Sequence, residues 1–426
     1  MRILVVGSGA REHAIVWRLA RNPTVDRIFA SPGNAGIARE ATCVAVAADD
    51  LDGIAELVER ESIDLTVVGP EGPLVSGLAD LLEIRGHRVF GPSAAAARIE
   101  GSKAWAKGVM ERHGLPTGRA HSFRDLRSAR SYLDELGEGP VVVKADGLAA
   151  GKGVTVAPDR ATAEAALVSC LADHAFGAAG DEVLIEEYLE GREVSAFALT
   201  DGRDVLPLGL AQDFKRADDG DVGPNTGGMG AYSPVPFVDP STERRIWDEV
   251  LFPAVRAMDE EGARYRGLLY AGLMITADGP RVVEFNCRFG DPETEAVLPR
   301  LRSDLGEMLL ACVEGNLGSY KAIWTDEACV TVVLASGSYP GPFQTGLAID
   351  GLEDAGELDG VVVFHAGTSE QDGRVVTSGG RVLAVSALGD SIADARARAY
   401  EACARISFDG MRYRRDVAAR AAEEER

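Results

Sequence analysis

Three polar residues around position 286 have the types and spacing that suit phosphoryl transfer. Glu284, Asn286 and Arg288 alternate with Phe285 and Cys287 in a segment rich in β-forming residues. Side chains two positions apart on a strand point the same way, so the pattern predicts one polar face and one face in a core. A carboxylate and an amide oxygen can ligate Mg²⁺, and a guanidinium offers a planar fork to a phosphoryl group. A surface strand with alternating polar residues is the alternative interpretation.

A glycine-rich loop at residues 147–153 (GLAAGKG) is a second candidate phosphate site. It has three residues between its first two glycines and a glycine after the lysine, whereas a Walker A loop needs four residues and then Ser or Thr. A flexible hairpin that carries Lys152 between strands predicted at 141–145 and 154–156 still suits a lid over a polyphosphate, with Lys144 as a second charge. A loop with solvated lysines is equally compatible with this segment.

The turn at residues 7–13 (GSGAREH) follows the first predicted strand and begins like a dinucleotide-binding fingerprint. Glu12 stands where that fingerprint has its third glycine, and the acidic residue expected about twenty positions later is missing. The pattern therefore argues against a nicotinamide dehydrogenase. A helix N-terminus can still hold a plain phosphate, which would explain Arg11. The alternative is a turn that only lets helix and strand approach each other.

Two further segments have polar groups that could contact a nucleotide or a small zwitterion. The end of a strand predicted at 183–187 could present its backbone to adenine, with Glu193 placed for ribose hydroxyls. A long glycine-rich loop is predicted over residues 213–232, where Asp213 and Lys215 offer opposite charges and glycines allow close backbone approach. An ordinary flexible loop is the alternative for the second segment.

The elements that must position these residues divide the chain into three parts. The first hundred residues alternate short β-rich runs with helical patterns, including a helix predicted over 74–84, and this alternation predicts a parallel α/β sheet. Turns rich in Gly and Pro follow its strands, at the edge where open α/β sheets bind ligands. A mixed α+β region follows, and a small C-terminal α+β domain begins near residue 326. The predicted domains are 1–102, 103–325 and 326–426.

The amino-acid composition argues against several classes of function. The 426 residues include 44 Lys+Arg and 67 Asp+Glu, a formal charge of −23, with 46% hydrophobic residues. The negative charge disfavours nucleic acid and anionic membranes as partners. No apolar run approaches the roughly 18 to 20 residues that cross a bilayer, and the N-terminus turns glycine-rich too early for a signal peptide, so a cytoplasmic protein is predicted. The six cysteines are scattered singly, which predicts neither disulfides nor structural zinc.

Six segments, taken in order, resemble the phosphoribosylamine–glycine ligase family of the ATP-grasp superfamily: residues 7–13, 32–36 (PGNAG), 69–71 (GPE), 144–154, 225–233 (NTGGMGAYS) and 284–294 (EFNCRFGDPET). The resemblance spans essentially the whole chain. It implies a Rossmann-like N-terminal domain, a central ATP-grasp fold with a mobile lid at about 120–190, and a small C-terminal domain. It also implies that ATP, glycine and 5-phosphoribosylamine give ADP, phosphate and glycinamide ribonucleotide through glycyl phosphate, the second step of de novo purine synthesis.

The resemblance assigns roles residue by residue. Mg²⁺ or Mn²⁺ would lie on Glu284 and Asn286, with Arg288, Asp213 and Lys215 as the catalytic residues. ATP would be bound by the following residues: Lys103, Lys144, Gly151, Lys152, Gly153, Glu186, Glu187, Leu189 and Glu193. The substrate-binding set is Gly9, Arg11, Asn34, Gly36 and Glu71 for phosphoribosylamine, and Asn225, Gly227 and Gly228 for glycine.

Expectations about partners and competing functions complete the sequence interpretation. The resemblance implies a monomer. It also suggests that phosphoribosylamine is transferred by transient channelling from the upstream amidotransferase. A different ATP-grasp carboxylate–amine ligase, specific for another acid, is the same-class alternative. A non-catalytic nucleotide-binding regulator is a further alternative, although it would have little need for a phosphoryl-transfer face.

Overall fold

The N-terminal part of the computed structural model, which describes residues 1–148 and 153–425, is a parallel α/β layer. Its strands run in the order β3-β2-β1-β4-β5, and all pairs are parallel. The strands are β1 (Arg2–Gly7), β2 (Arg27–Pro32), β3 (Thr42–Cys43), β4 (Leu65–Val68) and β5 (Val89–Phe90). The helices are α1 (Ala10–Leu19), α2 (Leu51–Arg60), α3 (Glu71–Val75), α4 (Leu78–Ile84) and α5 (Ala94–Gly101). The Rossmann-like prediction is confirmed.

The single helix predicted over residues 74–84 is wrong, because the structure divides it. Gly77 lies between α3 and α4 with φ +91, in the left-handed region. A continuous right-handed helix requires negative φ at every residue, and glycine is the residue that most readily leaves that region. The break lets α3 begin at Glu71, next to the predicted ligand edge.

The central part contains two sheets. A four-stranded sheet in the order β6-β9-β7-β8 has its own small core, which includes Leu133, Val143, Leu167 and Ile185. The first elements are α6 (Lys103–Arg112), β6 (Ala120–Phe123), α7 (Leu126–Leu136), β7 (Val141–Ala145), β8 (Val154–Ala157), α8 (Arg160–Leu171) and β9 (Val183–Glu187). The next are β10 (Arg192–Thr200), β11 (Val205–Asp213), β12 (Arg216–Asp218), β13 (Val222–Asn225), β14 (Gly230–Ser233), α9 (Pro240–Arg245), a π-helical turn (Ile246–Leu251) and α10 (Phe252–Glu260). The last are β15 (Gly267–Thr276), β16 (Gly279–Asn286), α11 (Thr294–Val297) and α12 (Leu305–Glu314).

The C-terminal part continues the second central sheet. Its elements are β17 (Ala328–Ala335), α13 (Leu352–Gly356), β18 (Val361–His365), β19 (Thr368–Gln371), β20 (Arg374–Thr377), β21 (Arg381–Gly389), α14 (Ile392–Arg405) and α15 (Ala419–Glu424). The large sheet runs β16-β15-β10-β11-β14-β17-β21-β18, and every pair is antiparallel. Because β14 pairs with β17, the C-terminal strands share one continuous sheet with β16.

The prediction of one long loop over residues 213–232 is wrong, since this segment contains the β12–β13 hairpin and strand β14. The C-terminal segment anchors the hairpin: Arg414 Nη1 lies 2.6 Å from Asp221 Oδ1 and 3.2 Å from the carbonyl oxygen of Arg216. Ala231 and Tyr232 of β14 are buried. Glycine and proline obscured these short strands in the sequence, and the residues that hold the hairpin and one edge of β14 lie far away along the chain.

Candidate functional site

The predicted metal face lies at the end of β16, but Arg288 reaches it from beyond the strand. The ladder with β15 ends at Asn286, because the Cys287 N–H donates to Glu100 Oε2 at 2.7 Å instead of a neighbouring strand. The placement of Arg288 on the strand is therefore wrong. Its Nη2 nevertheless donates to Asn286 Oδ1 at 3.2 Å. The predicted inward side of the segment is confirmed, since Phe285 and Cys287 are both buried.

Arg288 joins this face to the N-terminal layer. Its Nη2 lies 2.9 Å from Glu100 Oε1, and its Nε lies 3.3 Å from Glu71 Oε2 at the start of α3. Burial alone would lower the pKa of Arg288, but Glu100 and Glu71 raise it above the ordinary value, so the guanidinium stays charged. Two parts of the predicted site, Glu71 and Arg288, are thus in direct contact.

A cluster of cations, here called the lysine side, lies between the two central sheets. It consists of Lys103 and Lys107 on α6, Lys144 on β7 and the carboxylate of Glu186 on β9. Lys144 Nζ lies 2.7 Å from Glu186 Oε2 and donates to the carbonyl oxygen of Val283 on β16 at 3.0 Å. Lys107 Nζ lies 3.3 Å from Glu186 Oε1. Two ammonium groups, those of Lys107 and Lys144, therefore pair with one carboxylate.

Burial disfavours the cations of the lysine side. It lowers the pKa of both Lys103 and Lys107, although nearby carboxylates oppose the shift. Lys103 Nζ donates to the carbonyl oxygen of Gly147 at 3.1 Å. Lys107 was not identified from the sequence, although it lies four residues after Lys103 on the same helix and therefore on the same face. An anionic ligand would favour the charged forms of these lysines.

A group of opposite sign, here called the carboxylate side, lies across β10, β11 and β15. It consists of Lys215, which forms an ion pair with Glu193, of Asp213, which acts on Lys215, and of Glu293, which acts on Asp213. Glu293 Oε1 accepts hydrogen bonds from Tyr270 at 2.7 Å and from Ser195 at 3.0 Å. Glu293 is a site residue that the sequence interpretation missed, although it lies inside the 284–294 segment. The predicted ribose contact of Glu193 would have to share its carboxylate with Lys215.

Asp213 and Glu284 have pKa values that move in opposite directions. Burial raises the pKa of Asp213 to about 7, against the attraction of Lys215. Burial also opposes ionisation of Glu284, but Lys215, Lys144 and Lys103 hold the pKa of that carboxyl below its ordinary value. Glu284 is therefore anionic and lies within the field of lysines from both sides. An ionised carboxylate beside the Asn286 amide oxygen is a donor set that fits a hard divalent cation.

The N-terminal turn is closed by a carboxylate. Glu12 Oε2 accepts from the Gly9 N–H at 2.6 Å, and Glu12 Oε1 accepts from Arg11 Nε at 2.5 Å. A Rossmann dinucleotide site needs this helix N-terminus for a pyrophosphate, so Glu12 explains why the fingerprint is incomplete. Arg11 Nη1 also donates to the carbonyl oxygen of Phe289 at 3.3 Å, next to Arg288.

Asn34 is held by the protein through both ends of its amide. Its Nδ2 donates to the carbonyl oxygens of Ser8 at 2.8 Å and His365 at 2.7 Å, and its Oδ1 accepts from the Gly36 and Ile37 N–H groups, both at 2.9 Å. These bonds use the full capacity of the side chain. Asn34 therefore shapes the 32–36 loop, and the residue that joins it to the C-terminal part, His365, was missed from the sequence.

The glycine-rich segment before β14 packs against the segment after β16. Asn225 ends β13, and the turn at Gly227 and Gly228 follows. Gly228 has φ +111, and a Cβ there would lie 2.3 Å from Pro292 Cδ, so no other residue fits without displacement. The motifs at 225–233 and 284–294 are thus in contact. Among the predicted ATP residues, Glu187 and Leu189 follow Glu186 at the end of β9, and Gly153 precedes β8. Gly151 and Lys152 lie outside the described residues.

Two sheets with a lysine cluster between them, and a carboxylate–amide pair on the larger sheet, define an ATP-grasp protein. Comparisons with known proteins agree and are more specific. Models of phosphoribosylglycinamide synthetase match the N domain at residues 1–100, the ATP-grasp domain at 101–294 and the C domain at 329–420. The chain belongs to the phosphoribosylamine–glycine ligase family, as the resemblance predicted.

Individual relatives match the chain over its full length. A phosphoribosylamine–glycine ligase of Allochromatium vinosum is 52% identical over 429 residues, covering 100% of both chains. The crystal structure of phosphoribosylamine–glycine ligase from Thermotoga maritima superposes with a TM-score of 0.85 at 33% identity, covering 98% of this chain and 100% of that one. The biotin carboxylase domain of a 2-oxoglutarate carboxylase from Hydrogenobacter thermophilus shares the fold, with a TM-score of 0.74 and 19% identity, covering 96% of this chain and 91% of that one.

Within residues 1–148 and 153–425, no helix is both long and apolar enough to cross a membrane.

Proposed function

We propose that this protein ligates glycine to 5-phosphoribosylamine at the expense of ATP, giving glycinamide ribonucleotide, ADP and phosphate in the second step of de novo purine synthesis. The observation that carries the proposal is the pair of oppositely charged groups on either side of Glu284. The lysine side suits the phosphates of ATP. The carboxylate side suits the ammonium group of glycine, whose carboxylate Lys215 would neutralise.

The reaction proceeds in two steps. A glycine carboxylate oxygen attacks the γ-phosphorus of ATP, and ADP leaves, which gives glycyl phosphate. The amine nitrogen of phosphoribosylamine then attacks the carbonyl carbon; phosphate leaves and the nitrogen loses a proton. Lys103 and Lys144 hold the phosphates, while Arg288 stabilises the charge on the transferring group. Asp213 holds the glycine ammonium, and the turn at Gly227 and Gly228 encloses it beside Asn225.

Glu284 and Asn286 would hold Mg²⁺, or Mn²⁺ in its place. When bound, the cation supplies positive charge to the phosphate oxygens. Glu186, Glu187 and Leu189 would contact the adenine, and Glu193 the ribose. The remaining substrate, phosphoribosylamine, would bind at the N-terminal turn through Gly9, Arg11, Gly36 and Glu71, with Asn34 holding the loop.

The four-stranded sheet with its flanking helices would act as the lid, at about residues 120–190 within a domain 103–325. Its separate core supports movement as one body. Gly151, Lys152 and Gly153 would close over the phosphates and exclude water, which would otherwise hydrolyse glycyl phosphate. Domains 1–102 and 326–426 complete the proposed enzyme, which we expect to act as a cytoplasmic monomer, with transient transfer of phosphoribosylamine from the upstream amidotransferase.

An omission experiment tests the proposed reaction. ADP release is measured with ATP, Mg²⁺, glycine and freshly generated phosphoribosylamine, leaving out one component at a time, and the product mass is determined. Product formation that needs all four components is the expected result. Replacing glycine with alanine tests the acid, and replacing Mg²⁺ with Mn²⁺ tests the metal. Equal turnover with alanine would contradict glycine specificity and favour a ligase for another acid.

A further inference from the structure

Arg381, the first residue of β21, extends from the C-terminal part into the junction of the motifs at 225–233 and 284–294. Its Nη1 donates to the carbonyl oxygens of Gly227 at 2.6 Å, Gly228 at 3.4 Å and Asp291 at 3.0 Å. Its Nη2 lies 3.1 Å from Asp291 Oδ1. One planar guanidinium therefore holds four acceptors from two segments that lie more than sixty residues apart in the sequence.

Tyr339 holds the same glycine turn from the other side of its backbone. The Gly227 N–H donates to the Tyr339 hydroxyl oxygen at 3.0 Å. The position of the Tyr339 ring depends on Gly380, the residue before Arg381, because a Cβ there would lie 2.3 Å from Tyr339 Cδ2. The beginning of β21 thus positions two side chains, which together hold both the N–H and the carbonyl group of Gly227.

Asp291 extends this network to the N-terminal turn. A Cβ at Gly9 would lie 3.4 Å from Asp291 Oδ2, so this carboxylate lies between Arg381 and the proposed phosphoribosylamine site. Glu295 is fully buried nearby, and neither of its carboxylate oxygens has a hydrogen-bond partner among the described residues. Burial and the proximity of Asp291 raise the pKa of Glu295 well above its ordinary value. Asp291, and not Glu295, is the carboxylate that Arg381 contacts.

We infer that Arg381 and Tyr339 are positioning residues for ligation, which set the glycine turn and Asp291 at a fixed distance from each other. The inference rests on the proposed function and adds a role for the C-terminal part. Neither side chain belongs to the lysine side. Loss of their bonds should therefore affect glycine and phosphoribosylamine while ATP binding is retained.

Arg381→Lys is the main test, because lysine keeps the charge but lacks the fork that holds several acceptors. We expect the KM for glycine to rise about tenfold, as follows from losing hydrogen bonds of a charged donor. The KM for ATP should stay within about twofold. A larger share of ADP should form without glycinamide ribonucleotide, since misplaced glycyl phosphate meets water before the amine.

Tyr339→Phe gives an independent test if the arginine variant folds poorly. It removes one hydrogen bond, so we expect a rise of about threefold in the KM for glycine, again without a change for ATP. In the double variant, the KM for glycine should rise by less than the product of the two single increases, because both side chains hold the same turn. Arg374→Lys is the matched control: Arg374 is exposed in the same part of the fold and pairs with Asp350 at 2.9 Å. The Arg374→Lys variant should keep the wild-type KM values for all three substrates.

Two results would overturn the inference. The first is that Arg381→Lys and Tyr339→Phe both keep the wild-type KM values and the wild-type ratio of ADP to glycinamide ribonucleotide. The second is an equal loss for ATP, glycine and phosphoribosylamine together with a lower Tm, which indicates a purely structural role. Failure of the wild-type protein to use glycine, with ATP binding intact, would instead refute the proposed function itself. The wild-type omission experiment therefore distinguishes the two failures.

Discussion

The lysine side and the carboxylate side are built from the same types of residue in opposite proportions. The Glu186 carboxylate pairs with two lysines, Lys107 and Lys144, whereas Lys215 pairs with Glu193 and lies in the field of Asp213 and Glu284. Buried charges are costly unless they are paired. The difference teaches that the proposed phosphate and glycine sites differ in the sign of the charge that predominates, with Glu284 acted on by lysines of both.

The pKa directions follow the same division. On the lysine side, burial lowers the pKa of Lys103 and Lys107. On the carboxylate side, burial raises the pKa of Asp213, and the nearby Asp213 and Glu193 raise that of Lys215 despite its burial. Burial thus disfavours the cations of the lysine side and the anion of Asp213 on the carboxylate side. A chain with a formal charge of −23 nevertheless contains a buried cluster of lysines, because local packing and not net charge sets this field.

Glu284→Gln should have the largest effect, since it removes the anion that both sides share. We expect kcat to fall about a thousandfold, because a metal-bound charge stabilises the transferring phosphoryl group. ADP release under saturating substrates measures the effect, and a Mg²⁺ titration should show weakened metal dependence. Glu249→Gln on an exposed helical turn is the control. Turnover near that of the wild type would disprove the metal assignment.

Lys144→Met should weaken ATP binding at the lysine side and leave the carboxylate side unaffected. We expect the KM for ATP to rise about thirtyfold through loss of a charged contact, while the KM for glycine changes little. Initial rates with each substrate varied in turn separate the two constants. Lys321→Met, at an exposed lysine, is the control. A comparable rise for glycine would show that the two sides are not separate sites.

Asp213→Asn should affect only the carboxylate side, with a rise of about tenfold in the KM for glycine. The pKa of about 7 makes Asp213 neutral below and anionic above that pH. In the wild type the KM for glycine should therefore fall as pH rises from about 6 to 8, and in the variant this dependence should disappear. Asp248→Asn, at an exposed aspartate, should leave the profile unchanged.

The same substitution has a consequence for stability. The pKa of Asp213 is higher in the folded than in the unfolded protein, so its contribution to folding is present below about pH 4 and is lost as pH rises through about 7. Asp213→Asn should therefore gain about 4 kcal/mol relative to the wild type between pH 4 and pH 8. Urea unfolding at the two pH values measures the gain. No change in the difference with pH would show that Asp213 ionises as freely as in the unfolded chain, which would contradict the raised pKa.

Lys107→Met should have the smallest effect on catalysis. Lys107 Nζ donates to Thr117 Oγ1 at 2.8 Å and to the Gly118 carbonyl oxygen at 3.0 Å, so most of its bonds are internal. We expect the KM for ATP to rise about threefold, together with a lower Tm. An effect as large as that of Lys144→Met would mean that Lys107 contacts the phosphates directly.

Sequence interpretation succeeded where the signal is local. Strands at 141–145 and 183–187 were predicted with the observed bounds, since each is a short β-rich run between turn residues. It failed where a partner is distant. The hairpin at 216–225 depends on Arg412 and Arg414, and the single helix predicted over 74–84 is interrupted by one left-handed glycine. Neither feature has a periodicity that a short window can detect.

The candidate site shows the same limit. Lys107 could have been found from its spacing after Lys103, and Glu293 from its place in a motif. Tyr339 and Arg381 could not, because their role comes from the pairing of β14, β17 and β21 into one sheet with β16. Similarly, His365 joins the first domain because its N–H donates to His13 Nδ1 at 2.7 Å and its carbonyl oxygen accepts from Asn34 Nδ2 at 2.7 Å.

The amino-acid sequence by itself determined the family, the order of the three parts and the residue types at the metal face, because these depend on local patterns and on motifs in a fixed order. Only the tertiary structure decided that Arg288 contacts Glu71, that Glu12 closes the N-terminal turn, and that the charges separate into two sides. Those properties depend on distances between segments remote in the chain, and Coulomb interactions and burial depend on such distances.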